Sequence, residues 1–349
     1  MSQNLSRKIC ILPGDGIGPE VTTSALAVLR TLELPISFSI EAGGYEHYLE
    51  TGQTISPASL KRCMEADAIL YGANTNPAGD SGYQSLTLLL RDSLALHGNI
   101  RPVLSFDPDS AVDLVIFREN SECLYVREER EIPDGYDATR RITRSASERI
   151  ARLAFSYARE NSRRQVTIVH KANVLRKTCG LFREVCFQVA SEYPDIEVRE
   201  ELVDACVMKL FLKPSSFDVL LTTNLFGDIL SDAAAALVGG LGLAPGANIG
   251  ERHAMFEPVH GSAPDIAGKN LANPTACILA TAMMLEHLQF KVEASRIRGA
   301  LKQLIQRGAT TRDLGGTLLT SEFTDELIGE LRTQTVRSGS GDDQISTLR

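Results

Sequence analysis

The stretch Phe217–Asp232, FDVLLTTNLFGDILSD, joins a short apolar run to a segment with helical periodicity. The run Phe217–Thr222 has the length and apolar content of a buried strand, and the helix-period residues follow a Thr-Thr-Asn turn. Strand–turn–helix units of this kind build sheets whose strands run parallel. If such units recur along the chain, the sequence predicts an α/β fold.

Units of the same kind recur on both sides of this stretch. Further strands are predicted at Lys8–Leu12, Asp67–Ala73, Val112–Phe117 and Val166–His170. Helices are expected to begin near Pro19 and after the capping pair Ser56-Pro57, because proline favours a first helical turn. Leu124–Glu131, followed by Pro133-Asp134-Gly135, has a different pattern and predicts a protruding ribbon. A largely parallel sheet covered by helices is the expected architecture.

Length and composition limit the class of protein. A chain of 349 residues is long enough for two domains. Its net charge of −8 argues against a nucleic-acid partner. The seven cysteines contain no CxxC pair, which favours free thiols in a reducing compartment. Because no uncharged apolar run approaches the ~18 residues that span a bilayer, we expect no membrane partner and a cytoplasmic location.

An acidic pair lies on the helix of the opening stretch. Asp228 and Asp232 are four residues apart, so both carboxylates project from one helical face. Two like charges in this position repel unless a cation lies between them, and Mg²⁺ is a cation that takes such oxygen ligands. A solvated helix face is the alternative, but the surrounding apolar residues favour a metal site.

Basic and phenolic residues form a second group. Arg91, Arg101 and Arg118 fall near the ends of predicted elements, and three converging guanidinium groups would suit a substrate with two or three carboxylates. Lys171 directly follows a predicted strand, where burial can lower its pKa and make it a base. Taken singly, these residues and Tyr125 are compatible with ordinary surface or packing roles.

Two glycine-containing segments are candidates for binding a nucleotide. Gly14–Glu20, GDGIGPE, does not match a Rossmann fingerprint, because Pro19 stands where that fingerprint needs glycine. The loop Phe256–Pro274, FEPVHGSAPDIAGKNLANP, is the better candidate, since its backbone amides can approach a nucleotide. Asp265 within it can accept hydrogen bonds from a ribose diol and would repel a 2′-phosphate.

Several segments occur together and in order: GDGIGPEV, LRxxxxLxxNxRP, HKANVL, NLFGDILSD and FEPVHGSAPDIAGK. In this combination the chain resembles the metal-dependent β-hydroxyacid oxidative decarboxylases, which include isocitrate, 3-isopropylmalate, homoisocitrate and tartrate dehydrogenases. The resemblance implies a two-domain α/β fold with a largely parallel sheet, distinct from a Rossmann fold. Residues 1–96 and 248–349 would form the first domain and 97–247 the second, with an arm that clasps a partner. It also implies a homodimer with shared active sites, which could pair into a tetramer.

The resemblance implies a role for each candidate residue. One subunit would supply Lys171, Asn173 and Asp204, and the other would supply Arg91, Arg101, Arg118, Tyr125, Asp228 and Asp232. Mg²⁺ or Mn²⁺ would be bound by Asp204, Asp228 and Asp232. Lys171 would accept the proton of the substrate hydroxyl, and Tyr125 would protonate the enolate that decarboxylation leaves. The polycarboxylate would be bound by Ser85, Leu88, Arg91, Arg101, Arg118 and Asn173. The cofactor would be bound by His260, Gly261, Ser262, Ala263, Asp265 and Asn273, and Asp265 indicates NAD.

The segment Tyr83–Leu90, YQSLTLLL, bears on the choice of substrate. Tyr83-Gln84-Ser85 and ENSECLYVREE are most similar to homoisocitrate dehydrogenases, which convert homoisocitrate to 2-oxoadipate. Ser85-Leu86-Thr87 is close to the isocitrate pattern, and Leu88–Leu90 could accept the apolar group of 3-isopropylmalate. A regulatory subunit without activity is a further alternative, disfavoured because every expected catalytic residue is present.

Overall fold

The structure is a computed structural model that describes residues 6–77 and 82–339, with residues 335–339 described by their backbone alone. The strands are β1 (Arg7–Gly14), β2 (Ile36–Ile40), β3 (Ala68–Ala73), β4 (Gly98–Leu104), β5 (Asp113–Glu119), β6 (Glu129–Ile132), β7 (Gly135–Ala138), β8 (Gln165–His170), β9 (Glu197–Leu202), β10 (Val219–Thr222), β11 (Pro245–Ile249) and β12 (Ala254–Pro258). The helices are α1 (Gly18–Thr31), α2 (Tyr45–Thr51), α3 (Pro57–Glu65), α4 (Leu86–Ser93), α5 (Arg144–Glu160), α6 (Thr178–Ala190), α7 (Val203–Leu212), α8 (Asn224–Ala235), α9 (Thr275–His287), α10 (Lys291–Gln306) and α11 (Thr320–Gly339). The predicted α/β class is confirmed.

The chain divides into two compact units, Met1–Leu86 with Phe256–Arg349, and Thr87–Met255. The division into 1–96 with 248–349 and 97–247 stays a prediction. In the first unit the strand order is β2-β1-β3-β12, and β1 runs parallel to both β2 and β3. In the second the order is β11-β4-β5-β10-β8-β9. There β4 is antiparallel to β5 and β11, while β5, β10, β8 and β9 are parallel.

The core of the second unit explains why its parallel strands are apolar throughout. Side chains of β5, β8 and β10 such as Ile116, Val169 and Leu220 pack against Leu210 of α7 and Leu230 of α8. Helix α5 covers these strands with a buried stripe of its own. With both faces covered, no position in β10 is left for a solvent-facing polar residue, and all four of its residues are buried.

The predicted strands and helices are present, with bounds that differ from the predicted ones by one or two residues. The expected strand Phe217–Thr222 begins at Val219, because Pro214–Ser216 forms a 3₁₀ turn and the Phe217 amide donates to the Pro214 carbonyl at 3.1 Å. The Ser56 hydroxyl caps α3 by accepting from the Ser59 amide, as expected. The predicted ribbon is confirmed as the antiparallel hairpin β6–β7, with its turn at Pro133-Asp134. No described helix is both long and apolar enough to cross a membrane.

Candidate active site

The acidic pair of α8 lies directly beyond the carboxyl end of β10. Thr222 closes the strand by donating from its hydroxyl to the Val169 carbonyl at 2.9 Å. Helix α8 begins two residues later at Asn224, so Asp228 and Asp232 fall in its second and third turns. The short connection fixes both carboxylates relative to the strand ends, where α/β proteins place their functional residues.

Arg118 is buried between the end of β5 and α8. Only 1% of this residue is exposed. Its Nε and Nη2 atoms donate to Asn224 Oδ1 at 2.9 and 2.7 Å, and its Nη1 donates to Asp228 Oδ1. A Cβ atom at Gly227 would lie 2.6 Å from Arg118 Cβ, so glycine allows the helix to approach the strand. The guanidinium group is thereby held in one orientation.

Arg101 occupies the space between the two aspartates. Its Nη1 lies 3.5 Å from Asp228 Oδ1 and 3.5 Å from Asp232 Oδ1, and it also donates to the Ser231 hydroxyl. The spacing of Asp228 and Asp232 predicted a cation between the two carboxylates. Within this chain that cation is the guanidinium group of Arg101. The acidic pair alone therefore does not require a metal, and metal binding stays a prediction.

Two buried asparagines link two of the three predicted arginines. Arg101 Nε donates to Asn99 Oδ1 at 2.7 Å, and Asn99 Nδ2 donates to Asn248 Oδ1 at 2.8 Å. Arg91 Nε donates to the same Asn248 oxygen at 3.0 Å. Arg91 and Arg101 thus share a hydrogen-bonded frame, and Arg101 and Arg118 share Asp228. The structure brings together the three side chains that the sequence grouped by charge.

Tyr125 completes the cluster around Asp228. Its hydroxyl donates to Asp228 Oδ2, and the Arg118 guanidinium carbon lies 5.0 Å from the centre of its ring. It sits in a 3₁₀ turn, Leu124–Val126, flanked by Cys123 and Arg127 at positive φ. Burial raises the pKa of Tyr125 above its ordinary value, although the Arg118 charge opposes this. The phenol therefore keeps its proton at neutral pH.

The two aspartates differ in their ionisation. Burial acts to raise the pKa of Asp228, but the charges of Arg118 and Arg101 outweigh it, so the pKa lies below its ordinary value. Burial raises the pKa of Asp232, with Arg101 opposing and the Asp228 charge adding to the effect. Asp228 is thus held as a carboxylate by its cationic neighbours.

Lys171 and Asp204 form a separate pair in the same unit. Lys171 Nζ donates to Asp204 Oδ1 at 2.6 Å, and this hydrogen bond lowers the pKa of Asp204. The Asp204 side chain is 66% exposed, and Asn173 is exposed as well. Within residues 6–77 and 82–339, no three acidic, histidine or cysteine side chains converge as a metal site. Asp204 therefore does not join Asp228 and Asp232 within one described chain.

Ser85 and Leu88, the predicted substrate-selecting residues, lie at the start of α4. The Ser85 hydroxyl is buried and accepts from Asn74 Nδ2 at 3.3 Å. Asn74 Oδ1 in turn accepts from the hydroxyls of Tyr71 and Tyr83 at 3.1 and 3.3 Å. Leu88 is half-buried one turn later. Polar groups thus surround Ser85, whereas Leu88 presents an apolar side chain.

The predicted cofactor loop is fastened to the first βα turn of its own unit. The Ser262 carbonyl accepts from the Ile17 amide at 2.9 Å, and the Ser262 hydroxyl accepts from Thr75 at 2.6 Å. Ala263 has a φ of +39°, which turns the chain immediately afterwards. Gly261 and Asp265 are exposed. The GDGIG segment therefore supports the cofactor loop. Its role here differs from that of a Rossmann phosphate-binding loop.

His260 and Asn273 lie at the two ends of this loop. His260 Nδ1 lies 2.9 Å from the Gly261 carbonyl and must donate to it, which leaves Nε2 as a buried acceptor with no partner among the described residues. Burial lowers the pKa of His260, so the ring is neutral at pH 7. Asn273 Oδ1 accepts from the Thr275 amide and its Nδ2 donates to Asp313, both at 2.9 Å. Asn273 is therefore engaged within the chain, while His260 offers a free acceptor.

Sequence reasoning missed several residues that shape these sites. Asn99, Asn224 and Asn248 orient the arginines. Asn99 and Asn224 are fixed positions of the motifs LRxxxxLxxNxRP and NLFGDILSD, which was the available signal, whereas Asn248 lies in neither motif. Asp15 is fully buried and accepts from the backbone amides of Tyr45, Glu46 and Thr75. Its position between two glycines after β1 was the available signal, because such a turn often needs an acceptor for neighbouring amides.

The chain is similar to a family of known dehydrogenases. Residues 8–327 match the family model described as isocitrate/isopropylmalate dehydrogenase. The 3-isopropylmalate dehydrogenase of Archaeoglobus fulgidus is 47% identical over 92% of this chain and 98% of its own length. The isocitrate/homoisocitrate dehydrogenase of Thermus thermophilus is 45% identical over 94% of this chain and 100% of its own length.

A solved structure gives the same result for the fold. The crystal structure of isocitrate dehydrogenase from Methylococcus capsulatus matches with a TM-score of 0.90 and 44% identity, covering 93% of this chain and 99% of that one. Strand order, sequence motifs and similarity to known proteins therefore lead to one conclusion. The chain belongs to the isocitrate/isopropylmalate dehydrogenase family.

Proposed function

We propose that the enzyme oxidises and decarboxylates homoisocitrate to 2-oxoadipate, with NAD as hydride acceptor and Mg²⁺ or Mn²⁺ as bound cation. Its family makes it an oxidatively decarboxylating dehydrogenase acting on a CH–OH donor. The meeting of Arg101, Arg118 and the Tyr125 hydroxyl at Asp228 carries the proposal. Two guanidinium groups beside a carboxylate and a protonated phenol suit an anionic hydroxy acid.

The donor set fits a hard divalent cation. Asp228 is held ionised, and the side chain of Asp232 is 58% exposed. Carboxylate oxygens are the ligands that Mg²⁺ and Mn²⁺ take. We propose that both residues bind the cation together with Asp204 of a second subunit. A bound cation would lower the pKa of the substrate hydroxyl and stabilise the charge that develops as CO₂ leaves.

NAD is the proposed hydride acceptor, and the loop after β12 suits its adenosine half. The unpartnered His260 Nε2 suits an N–H or O–H donor of the nucleoside. The exposed Asp265 carboxylate would accept from a ribose diol and repel a 2′-phosphate. The test is kcat/KM measured with NAD and with NADP. NAD should be preferred, and a preference for NADP would contradict this assignment of the loop.

The catalytic roles we propose are supported by the surroundings of each side chain. Lys171 is the proposed base for the substrate hydroxyl, acting as the neutral amine, and the hydrogen bond between its Nζ and Asp204 orients it. Tyr125 is the proposed acid, because its raised pKa keeps a proton available for the enolate carbon. Arg91, Arg101 and Arg118 would bind the substrate carboxylates, with their orientation set by hydrogen bonds to Asn248, Asn99 and Asn224.

Substrate choice rests on the residues before Arg91. The polar cluster of Tyr83, Asn74 and Ser85 favours a substrate whose distal group is polar, as in homoisocitrate or isocitrate. The name of the Thermus thermophilus relative includes both substrates. The second candidate is 3-isopropylmalate, favoured by the half-buried Leu88 and by the name of the Archaeoglobus relative.

A steady-state comparison tests these candidates. NADH formation would be followed with homoisocitrate, isocitrate and 3-isopropylmalate in the presence of NAD and Mn²⁺. The proposal expects the highest kcat/KM with homoisocitrate. A higher value with 3-isopropylmalate would establish the second candidate. Absence of NADH with all three would contradict the proposed function and favour a regulatory subunit.

The assembly we propose is a homodimer with shared sites. Asp204, Met208 and Leu212 are spaced four residues apart on one face of α7, and the last two are 55% and 75% exposed. Ile229 of α8, next to Asp228, is 54% exposed. A second copy covering this apolar face would bury it and surround Asp204. Sedimentation of the wild type and of Leu212→Glu tests this, since the variant should dissociate.

The compartment is inferred from the cysteines. All seven are free and buried in the structure. Free thiols persist in reducing surroundings, and we propose a cytoplasmic location.

A further inference from the structure

We propose that His170 is a positioning residue that fixes the direction of Lys171 by holding the peptide unit between Lys171 and Ala172. The inference rests on the proposed role of Lys171 as the base. His170 is the last residue of β8 and only 4% exposed, so it does not present its ring to solvent.

The peptide unit after Lys171 is held at both of its polar atoms. Its carbonyl, that of Lys171, accepts from the amides of Val174 and Leu175 at 3.1 and 2.8 Å. Its N–H, that of Ala172, donates to His170 Nδ1 at 3.1 Å. A peptide unit is planar, so fixing both ends fixes the plane and with it the backbone torsion at Lys171. That torsion sets where the lysine side chain starts.

The histidine ring is itself held in one tautomer. Nδ1 accepts from the Ala172 amide and therefore carries no proton, so the proton of the neutral ring is on Nε2. Nε2 lies 3.2 Å from Glu200 Oε2 and donates to it. Arg183 donates to both Glu200 oxygens, at 3.0 Å to Oε1. A chain of hydrogen bonds thus runs from an arginine on α6 to the backbone beside the base.

The placement matters because Lys171 is only partly enclosed. Its side chain is 24% exposed and has one described side-chain partner, Asp204, which is itself exposed. A flexible four-carbon chain with one exposed partner needs its backbone origin fixed to reach a substrate hydroxyl reproducibly. Small displacements of a reacting group, on the order of 1 Å, can slow a reaction by about 10²-fold.

Three substitutions of His170 distinguish the role of Nδ1 from that of Nε2. His170→Asn keeps an acceptor near the Nδ1 position and loses the donor to Glu200. His170→Gln keeps an amide near the Nε2 position and loses the acceptor for the Ala172 amide. His170→Leu loses both. We expect the Asn variant to oxidise substrate at nearly the wild-type rate. The Gln and Leu variants should lose the hydrogen bond that holds the Ala172 amide.

Single-turnover NADH formation is the first measurement, with NAD, Mn²⁺ and whichever of homoisocitrate, isocitrate or 3-isopropylmalate the wild type uses best. The rate constant should fall by roughly 10–10²-fold in the Gln and Leu variants, with KM and NAD affinity little changed. A misfolded fraction would lower the amplitude instead, since unfolded molecules do not turn over. Hydrogen exchange of the Ala172 amide is the second measurement, and it should accelerate in Gln and Leu but not in Asn.

The outcomes are distinct from those of the proposed function. A wild type that forms no NADH would overturn the role of Lys171 and this inference with it. An active wild type whose Gln variant has an unchanged rate constant would overturn the inference alone. Equal loss in all three variants would assign His170 to packing, and an unchanged Ala172 exchange rate in Gln would also overturn it.

Discussion

Two parts of the second unit hold the proposed catalytic groups in different ways. The Asp228 centre, which consists of Arg101, Arg118, Tyr125 and Asp228, is mostly buried and satisfied by hydrogen bonds within one chain. The lysine pair, Lys171 and Asp204, is joined by a single hydrogen bond, and its aspartate is largely exposed. One chain thus preorganises the first group, whereas the second has room for further partners.

The two groups are held differently because their proposed tasks differ. Groups that bind substrate carboxylates need fixed geometry before binding, and buried hydrogen-bonded arginines supply it. A base must exchange a proton during each turnover, so a partly exposed lysine is suited to that task. We therefore expect substitutions in the lysine pair to slow the oxidation step. Substitutions around Asp228 should affect binding, metal dependence or stability and, at Tyr125, the later protonation step.

The largest effect is expected for Lys171→Met, which removes the proposed basic nitrogen while keeping an unbranched side chain. NADH formation in a single turnover should slow by about 10²–10⁴-fold, the usual contribution of general base catalysis. Stopped-flow absorbance measures it. Lys61→Met, on the exposed surface of α3, is the matched control and should behave as wild type. Normal oxidation by the Lys171 variant would remove this residue from the mechanism.

Asp228→Asn should reduce activity by at least ~10²-fold and weaken metal dependence with it, because metal stabilisation of developing charge is worth several kcal/mol. The substitution keeps the shape but leaves Arg118 without its carboxylate partner. Activity titrated against Mn²⁺, with Mn²⁺ affinity measured separately, tests it. Near-normal turnover with an unchanged metal requirement would contradict the assignment of Asp228.

A mixture of the two variants tests whether the Asp228 centre and the lysine pair of one active site come from different chains. If sites are shared, a hybrid dimer of Lys171→Met and Asp228→Asn chains contains one doubly altered site and one intact site. Random reassembly should then restore roughly a quarter of wild-type activity, since half the dimers are hybrids with one intact site each. Activity after denaturation and joint refolding measures this. No recovery, with both parents refolding normally, would show that each chain supplies a complete site.

Tyr125→Phe should reduce activity less than the first two variants, and it should act on a later step of the reaction. The change keeps the ring beside Arg118 and removes only the hydroxyl that donates to Asp228. Protonation of the enolate should slow by about 10²-fold, at the low end of general acid catalysis, while NADH formation in the first turnover changes less. Absorbance follows NADH, and chemical quench follows the 2-keto acid product. Equal slowing of both signals would contradict this division of roles.

The smallest predicted effect concerns stability around the Asp228 centre. In Gly227→Ala the new Cβ would lie 2.6 Å from Arg118 Cβ, and we expect overpacking to cost about 1–3 kcal/mol of unfolding free energy. Gly180→Ala in α6 is the control, because nothing lies within 4 Å of its Cβ position. Alanine there should be neutral or stabilise the helix. Urea unfolding distinguishes the two, and equal stabilities would mean that α8 moves away freely.

The local elements and the family were predictable from the order of the residues alone. Strand runs such as Val166–His170, the Ser56 cap and the hairpin turn at Pro133 depend on neighbours a few residues apart, so periodicity and turn chemistry were sufficient. The motifs were specific enough to identify the decarboxylating dehydrogenases. The start of β10 was misjudged by two residues because a 3₁₀ turn competed for the Phe217 amide.

Which charged side chains come into contact depends on the order of the strands in the sheet. Arg101 reaches Asp228 across 127 residues of sequence because β4 runs antiparallel beside β5, an order that local periodicity does not encode. The same order brings Asn248 of β11 to Asn99 of β4, and so orients the arginines. Charge spacing along α8 suggested a missing cation, and the fold supplied a guanidinium group there. Electrostatic energy depends on distance in space, which sequence separation does not give.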